Sequence, residues 1–135
     1  MPAALDAITA LLSALAFGAV MFVSFALAPL VFRVLEPPAA GRFLRAMFPR
    51  YYRVLVASGV GLSLLCLGRG GLVVPAAALA VLAAASLGLV PRINAAKDAG
   101  PSAAGRFRRL HGASVVLNLG MLAASGWLVV ALAAA

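Results

Sequence analysis

One stretch near the end of the chain gathers side chains suited to proton transfer, ligand binding and hydrogen bonding between helices. It runs Arg106-Phe-Arg-Arg-Leu-His-Gly-Ala-Ser-Val-Val-Leu-Asn118 and contains the single histidine of the protein. In an α-helix His111, Ser114 and Asn118 share one face, because steps of three and four residues realign at 3.6 residues per turn. We take this face as the first candidate site.

His111 is open to two interpretations. A neutral imidazole near the end of a membrane helix can relay a proton, bind a ligand or take one axial position of a haem. It can also hydrogen-bond a loop carbonyl at the level of the lipid headgroups, which is the interpretation we favour.

Asn118 lies about 10 Å deeper along the same helix. An unpaired amide in hydrocarbon is costly, so the side chain needs a partner, such as Ser24 or a carbonyl freed by Pro29. We favour a polar contact between helices over a transport pathway.

Three further polar residues are expected at the level of His111, namely Arg33, Arg92 and Asn94. With His111 they are suited to an anion or a lipid headgroup, whereas a ring of basic side chains that fixes the topology is the plainer alternative. The candidate cluster therefore comprises His111, Asn118, Ser114, Arg33, Arg92 and Asn94.

The elements that position this cluster must be membrane helices. The chain of 135 residues is 65% hydrophobic and only 10% charged, whereas a soluble domain carries about 25% charged residues. Apolar runs of this length need a lipid solvent. The basic residues flank these runs, so the net charge of +8 indicates contact with anionic lipid headgroups and no nucleic-acid partner.

Periodicity and turn residues predict an all-α membrane protein with a single domain over residues 1–135. Spanning helices are expected at about 5–32, 51–67, 72–90 and 106–132, with Pro49 opening the second and Pro91 following the third. Short loops favour an up-down-up-down four-helix bundle. Residues 39–48, with basic and apolar sides, are typical of a short interfacial helix between the first two spans.

Small residues on the second helix, Gly59, Ser63 and Cys66, would let another helix approach closely. This face suits packing within one chain or between the chains of a homo-oligomer. The sequence leaves both alternatives open.

Orientation follows from the basic residues. Ten of the eleven Lys and Arg residues lie within 33–53 and 91–109, and short basic loops stay in the cytoplasm. We therefore expect a multi-pass protein of the inner (plasma) membrane, with loops 33–50 and 91–109 cytoplasmic and both termini outside.

The segments Ala39–Arg45 and Ala103–Arg109 have similar sequences, and each precedes an even-numbered helix. They fit a parallel repeat of two hairpins, or a coincidence in a chain rich in Ala, Gly and Arg. The sequence does not choose between these.

The sequence offers few groups for catalysis. Asp6 and Glu36 are expected on opposite sides of the membrane, and one cysteine with one histidine cannot form a metal cluster within one chain. We therefore expect no enzyme and no cofactor, and favour a protein that binds or helps to transport a small molecule, ion or lipid, or that assists assembly. The alternative is an oligomeric haem- or metal-binding redox protein that uses His111.

Four motifs carry a resemblance to a known family: Ala28–Arg33, Phe48–Tyr52, Pro91–Asn94 and Phe107–Asn118. In order and spacing they resemble the transmembrane-protein-205-like family, a membrane domain of unknown function. This resemblance implies four membrane helices and no particular activity. More distantly the layout is similar to copper-resistance-D-like and membrane-bound protoporphyrinogen-oxidase-like proteins, which use histidines for haem or metal; this chain departs from them in having His111 alone.

Overall fold

A computed structural model describes residues 3–135, and in this range the chain folds into helices without any strand. Its elements are α1 (Ala3–Phe22), a π-helical turn (Val23–Leu27), α2 (Ala28–Val34), α3 (Pro37–Leu65), α4 (Val73–Asp98) and α5 (Ala104–Ala133). Because the π-helical turn joins α1 to α2 directly, the protein has four long helical stretches. The predicted all-α fold is confirmed at this level.

In the described residues three stretches are long and apolar enough to cross a membrane: Ala3–Val34, Gly70–Asp98 and Gly100–Ala133. Their outer surfaces carry large apolar side chains, such as Leu15 at 69% exposed and Val81 at 66%. Such surfaces suit contact with lipid. The remaining helix, α3, is less apolar because it carries arginines up to Arg53, which leaves only residues 54–65 without charge.

The four stretches pack as neighbours around a common core. α1 and α4 each pack against both α3 and α5. The fully buried core residues come from all four stretches: Val20, Leu55, Leu62, Leu79, Ala83, Met121 and Leu128. The core therefore holds together the helices whose basic ends carry the candidate site.

Two helices approach each other closely at Gly59, where α3 meets α4. A Cβ atom added at Gly59 would lie 2.5 Å from the backbone nitrogen of Ala80. Only a residue without a side chain permits this approach. The expectation that Gly59 admits a neighbouring helix is confirmed, and here the neighbour belongs to the same chain.

Two predicted helix ends were wrong. Residues 39–48 form no separate short helix but the first part of α3, which continues through Pro49, and α4 continues through Pro91 to Asp98. A proline inside a helix removes one hydrogen bond to the preceding turn, and helices tolerate this where their flanking residues are packed. Tyr52 after Pro49 and Ala96 after Pro91 are both buried, so packing of the turn that follows each proline helps to hold the helix together.

Candidate functional site

A cavity of about 440 Å³ lies between α2, α3, α4 and the first turns of α5. This volume is in the range of small-molecule sites in proteins. Apolar side chains form most of its wall. The polar residues that join them are Arg45, Tyr52, Ser86, Asn94, Lys97, His111 and Ser114. No carboxylate is among the described residues that line it.

The cavity is elongated along α4. Ser86, Val90, Asn94 and Lys97 lie on one face of this helix, at steps of three and four residues, and all line the cavity. The rise of 1.5 Å per residue places Lys97 about 16 Å from Ser86 along the helix axis. Ser86 therefore marks the deep end of the cavity, and Lys97 marks its mouth at the basic end of the protein.

At the mouth, α4 and α5 bring three side chains into a row. The rings of Phe107 and His111 are stacked, with centroids 5.8 Å apart and planes 8° from parallel. The Nζ atom of Lys97 lies 5.6 Å from the centroid of the Phe107 ring, within the range of a cation–π interaction. His111 and Lys97 thus both contact the ring of Phe107 at the mouth.

An ion pair joins α3 to α4 beside the cavity. Arg45 donates two hydrogen bonds to Asp98, from Nη1 to Oδ2 at 3.0 Å and from Nη2 to Oδ1. The hydrogen bond to Asp98 raises the pKa of the Arg45 guanidinium. The pair is therefore charged at neutral pH, and it fixes Arg45 at the edge of the cavity.

The polar groups of the cavity differ in their hydrogen bonding according to their depth. At the deep end Ser86 Oγ donates to the carbonyl of Leu82 at 2.9 Å, and farther along α5 Ser114 Oγ donates to the carbonyl of His111 at 2.7 Å. Their protons are already engaged. In contrast, Asn94, Lys97 and His111 donate no side-chain hydrogen bond to any residue of the described range. Apart from the hydroxyl of Tyr52, which lies near Ser86, the free donors therefore gather near the mouth.

The structure brings three members of the predicted cluster to this cavity, namely His111, Ser114 and Asn94. Arg33 and Arg92 are exposed and do not line it. Their positions suit the basic ring that sequence reasoning offered as the alternative.

Asn118 lies one helical turn beyond Ser114 and outside the cavity. Its Nδ2 donates to Ser24 Oγ at 2.7 Å. Ser24 was one of the two partners expected from the sequence, and it lies in the π-helical turn Val23–Leu27. In this turn the backbone N–H of Ala28 donates to the carbonyl of Val23. Asn118 thus connects α5 to the turn from which α2 departs.

Sequence reasoning missed Arg45, Lys97 and Tyr52 as residues of the cavity. Lys97 was assigned to a loop because Pro91 was taken as the end of the helix. Extending the periodicity through Pro91 would have placed Lys97 on the face of Ser86. Tyr52 is buried and stacked on Phe48 at 5.7 Å between ring centroids, and nothing in its sequence context distinguishes it from an interfacial tyrosine.

Charge is distributed unequally between the two ends of the protein. At the end far from the cavity, Arg69 Nη2 lies 2.8 Å from Asp6 Oδ1, so one positive and one negative charge cancel there. The other ten basic and two acidic residues lie in the segments near the cavity. The whole net charge of +8 therefore belongs to that end, called the basic end below.

Cofactor binding would depend on His111. It is the only imidazole of the chain, and the described residues contain no group of three His, Cys, Asp or Glu side chains that could hold a metal ion. A bis-histidine haem that used His111 would need its second axial histidine from another chain.

Comparison with known proteins gives a family but no characterised relative. No curated protein and no solved structure shows significant similarity to the chain. A family model described as "Domain of unknown function (DUF4149)" matches residues 11–102, which run from α1 to the turn before α5. The chain belongs to this DUF4149 family.

Proposed function

We propose that this protein is a multi-pass protein of the inner membrane that binds a small ligand in the cavity at its basic end and performs no chemistry of its own. The observation that carries the proposal is the cavity itself, in which an apolar wall about 16 Å long ends at the free donors Asn94, Lys97 and His111. An apolar cavity with a few convergent polar groups is the usual form of a small-molecule site.

The proposed arrangement is an up-down-up-down bundle in which α3 also crosses the membrane. Two ion pairs support it, because α3 begins near Arg45 and Asp98 at the basic end and is followed by Arg69, which pairs with Asp6 at the other end. The uncharged residues 54–65 span only about 18 Å. The arginines before them must therefore lie at the headgroup level, where long basic side chains are stable.

The proposed orientation places the basic end in the cytoplasm and both termini outside. Its support is the concentration of the entire net charge at one end, since basic segments beside membrane helices are retained in the cytoplasm. Anionic lipids of the cytoplasmic leaflet would then surround the mouth of the cavity.

We prefer a binding role to catalysis because two of the three acidic side chains form ion pairs and the third does not line the cavity. Asp6 pairs with Arg69 and Asp98 pairs with Arg45, and Glu36 lies exposed just before α3. General acid–base catalysis by a pair of carboxylates therefore has no support.

The test is to fill the cavity without disturbing the fold. Gly41 lines the cavity, and a Cβ atom added there meets nothing within 4 Å. Gly41→Leu should therefore fold normally and occupy the space of a ligand. Gly88→Leu is the matched control, because Gly88 is exposed on α4 outside the cavity and its added Cβ also meets nothing within 4 Å.

Native mass spectrometry of protein purified in mild detergent gives the measurement. We expect a bound small molecule on the wild-type protein and on Gly88→Leu, and none on Gly41→Leu. A wild-type protein that carries no ligand after extraction under several mild conditions, or a ligand equally present on Gly41→Leu, would contradict the proposal.

A further inference from the structure

We infer that the ligand is a single-chain anionic amphiphile, such as a fatty acid, which enters from the bilayer with its charged head at the mouth of the cavity. This inference rests on the proposed function, because it names the chemical class of ligand for the same cavity. It is carried by the shape of the cavity, by the depth at which its free donors lie, by its side opening and by the charge around it.

The shape favours one extended chain. The cavity follows α4 from Ser86 to Lys97 over about 16 Å, while its volume is about 440 Å³. This length suits an extended ligand. An acyl chain fills such a space with apolar contacts, whereas a compact polar solute would leave most of the wall without a partner.

The positions of the hydrogen-bond donors decide which end of the ligand lies at the mouth of the cavity. The hydroxyls of Ser86 and Ser114 already donate to backbone carbonyls, so they offer no proton to a polar group at depth. Lys97 and Asn94 have free donors near the mouth. The hydroxyl of Tyr52, near Ser86, is the one further donor at depth. A ligand that satisfies both regions therefore carries most of its hydrogen-bond acceptors at the mouth, where a head with negative charge gains most from Lys97.

The route of entry lies between α2 and α5. α1 packs along α5, but beyond the π-helical turn α2 makes only a few contacts with α3 and still fewer with α5. Phe32 of α2 and His111 of α5 both line the cavity, at a place where α2 and α5 make few contacts with each other. Phe32 is 64% exposed on the lipid-facing surface. An acyl chain can therefore pass beside Phe32 from the bilayer into the cavity without crossing water.

The surrounding charge favours an anion over a cation or a neutral lipid. No carboxylate among the described residues lines the cavity, and the entire net charge of +8 lies at the basic end. A positive field of this kind raises the local concentration of anions. The same field would repel a ligand with a cationic head group.

The test measures displacement of a fluorescent fatty acid from protein in nanodiscs made of zwitterionic phosphatidylcholine. Palmitate should displace the probe, and methyl palmitate, which has the same chain without the charge, should bind more weakly by on the order of tenfold to a hundredfold. Acetate, which has the head without the chain, should not displace it. Lysophosphatidic acid should compete like palmitate, because it joins one chain to an anionic phosphate.

Two pairs of variants identify the site. Lys97→Gln should weaken the binding of palmitate by about tenfold and leave the binding of methyl palmitate unchanged. Arg92→Gln is its control, since Arg92 is exposed on the same helix outside the cavity. Gly41→Leu should abolish specific displacement, and Gly88→Leu should preserve it.

The outcomes separate the two proposals. If palmitate and methyl palmitate bind equally and Gly41→Leu abolishes both, the anionic class is overturned while the cavity remains a ligand site. Stronger binding of diacyl phosphatidic acid than of either single-chain lipid would overturn the single-chain assignment alone. If palmitate binds to Gly41→Leu as well as to the wild-type protein, it only partitions into the bilayer, and this inference is overturned. The native mass spectrum then decides the proposed function.

Discussion

Asn118 on α5 donates a hydrogen bond of 2.7 Å to Ser24 in the π-helical turn of the first long stretch. π-helical turns are rare and occur mostly as single turns within α-helices. This one is followed by Pro29, which has no backbone N–H to donate. Asn118 therefore fixes the point at which α2, one wall of the cavity, departs from the packed part of the bundle.

Breaking this hydrogen bond should destabilise the protein modestly. Asn118→Leu and Ser24→Ala should each lower the free energy of unfolding, and a double-mutant cycle should give a coupling of about 0.6 kcal/mol, with an upper limit of about 1.7 kcal/mol. The measurement is reversible unfolding in mixed micelles. Strictly additive effects of the two substitutions would show that the hydrogen bond contributes nothing.

Gly59→Ala should be far more harmful than an ordinary substitution of glycine. The added Cβ would lie 2.5 Å from the nitrogen and 2.8 Å from the Cα of Ala80, so α3 and α4 must separate, at a cost of about 1–3 kcal/mol. Gly88→Ala is the control, because its Cβ meets nothing within 4 Å, and it should stabilise the helix by about 0.5–1 kcal/mol. Thermal unfolding of both variants measures the contrast, and equal midpoints would refute the close approach.

The ion pair Asp6–Arg69 should contribute little, and only at low salt. Its side chains are 45% and 20% exposed, so Arg69→Gln should cost at most about 1 kcal/mol. Added salt should reduce the difference from wild type, since it screens exposed charges. Arg92→Gln, which removes an exposed arginine at the basic end, is the comparison. A loss of stability in Arg69→Gln that persists at high salt would indicate that Arg69 has a role other than charge pairing.

Single cysteines test the proposed orientation. In a Cys66→Ser background, Ala134→Cys near the C-terminus should react with a membrane-impermeant maleimide on intact cells, whereas Ser102→Cys between α4 and α5 should react only after permeabilisation. Both positions are exposed. The opposite pattern would place the basic end outside and remove the reason to expect cytoplasmic lipids at the cavity.

Residue patterns predicted those features of the fold that depend on local chemistry. Hydropathy identified the three stretches that are long and apolar enough to cross a membrane. The lack of a side chain at Gly59 indicated a close helix contact, and the cost of an unpaired amide indicated a partner for Asn118. Helical spacing also placed His111 and Ser114 on one face, and both line the cavity.

Features that depend on tertiary packing could not be predicted in this way. Whether a helix ends at Pro49 or Pro91 is decided by the packing of Tyr52 and Ala96, which the sequence does not reveal. The cavity itself requires Arg45 from α3 and Lys97 from α4 to line one space beside α5. No pattern within a single helix shows that α2 departs from α5 and leaves this space between them.

A crystal structure of the protein grown from a lipidic phase, with palmitate added, tests the central claim most directly. The account predicts elongated density along α4 from Ser86 toward Lys97, with the carboxylate within hydrogen-bond distance of Lys97 Nζ. Gly88→Leu crystals should show the same density, and Gly41→Leu crystals should lack it. A wild-type cavity closed by its own side chains, with Phe32 packed against His111 and no density between them, would contradict the account.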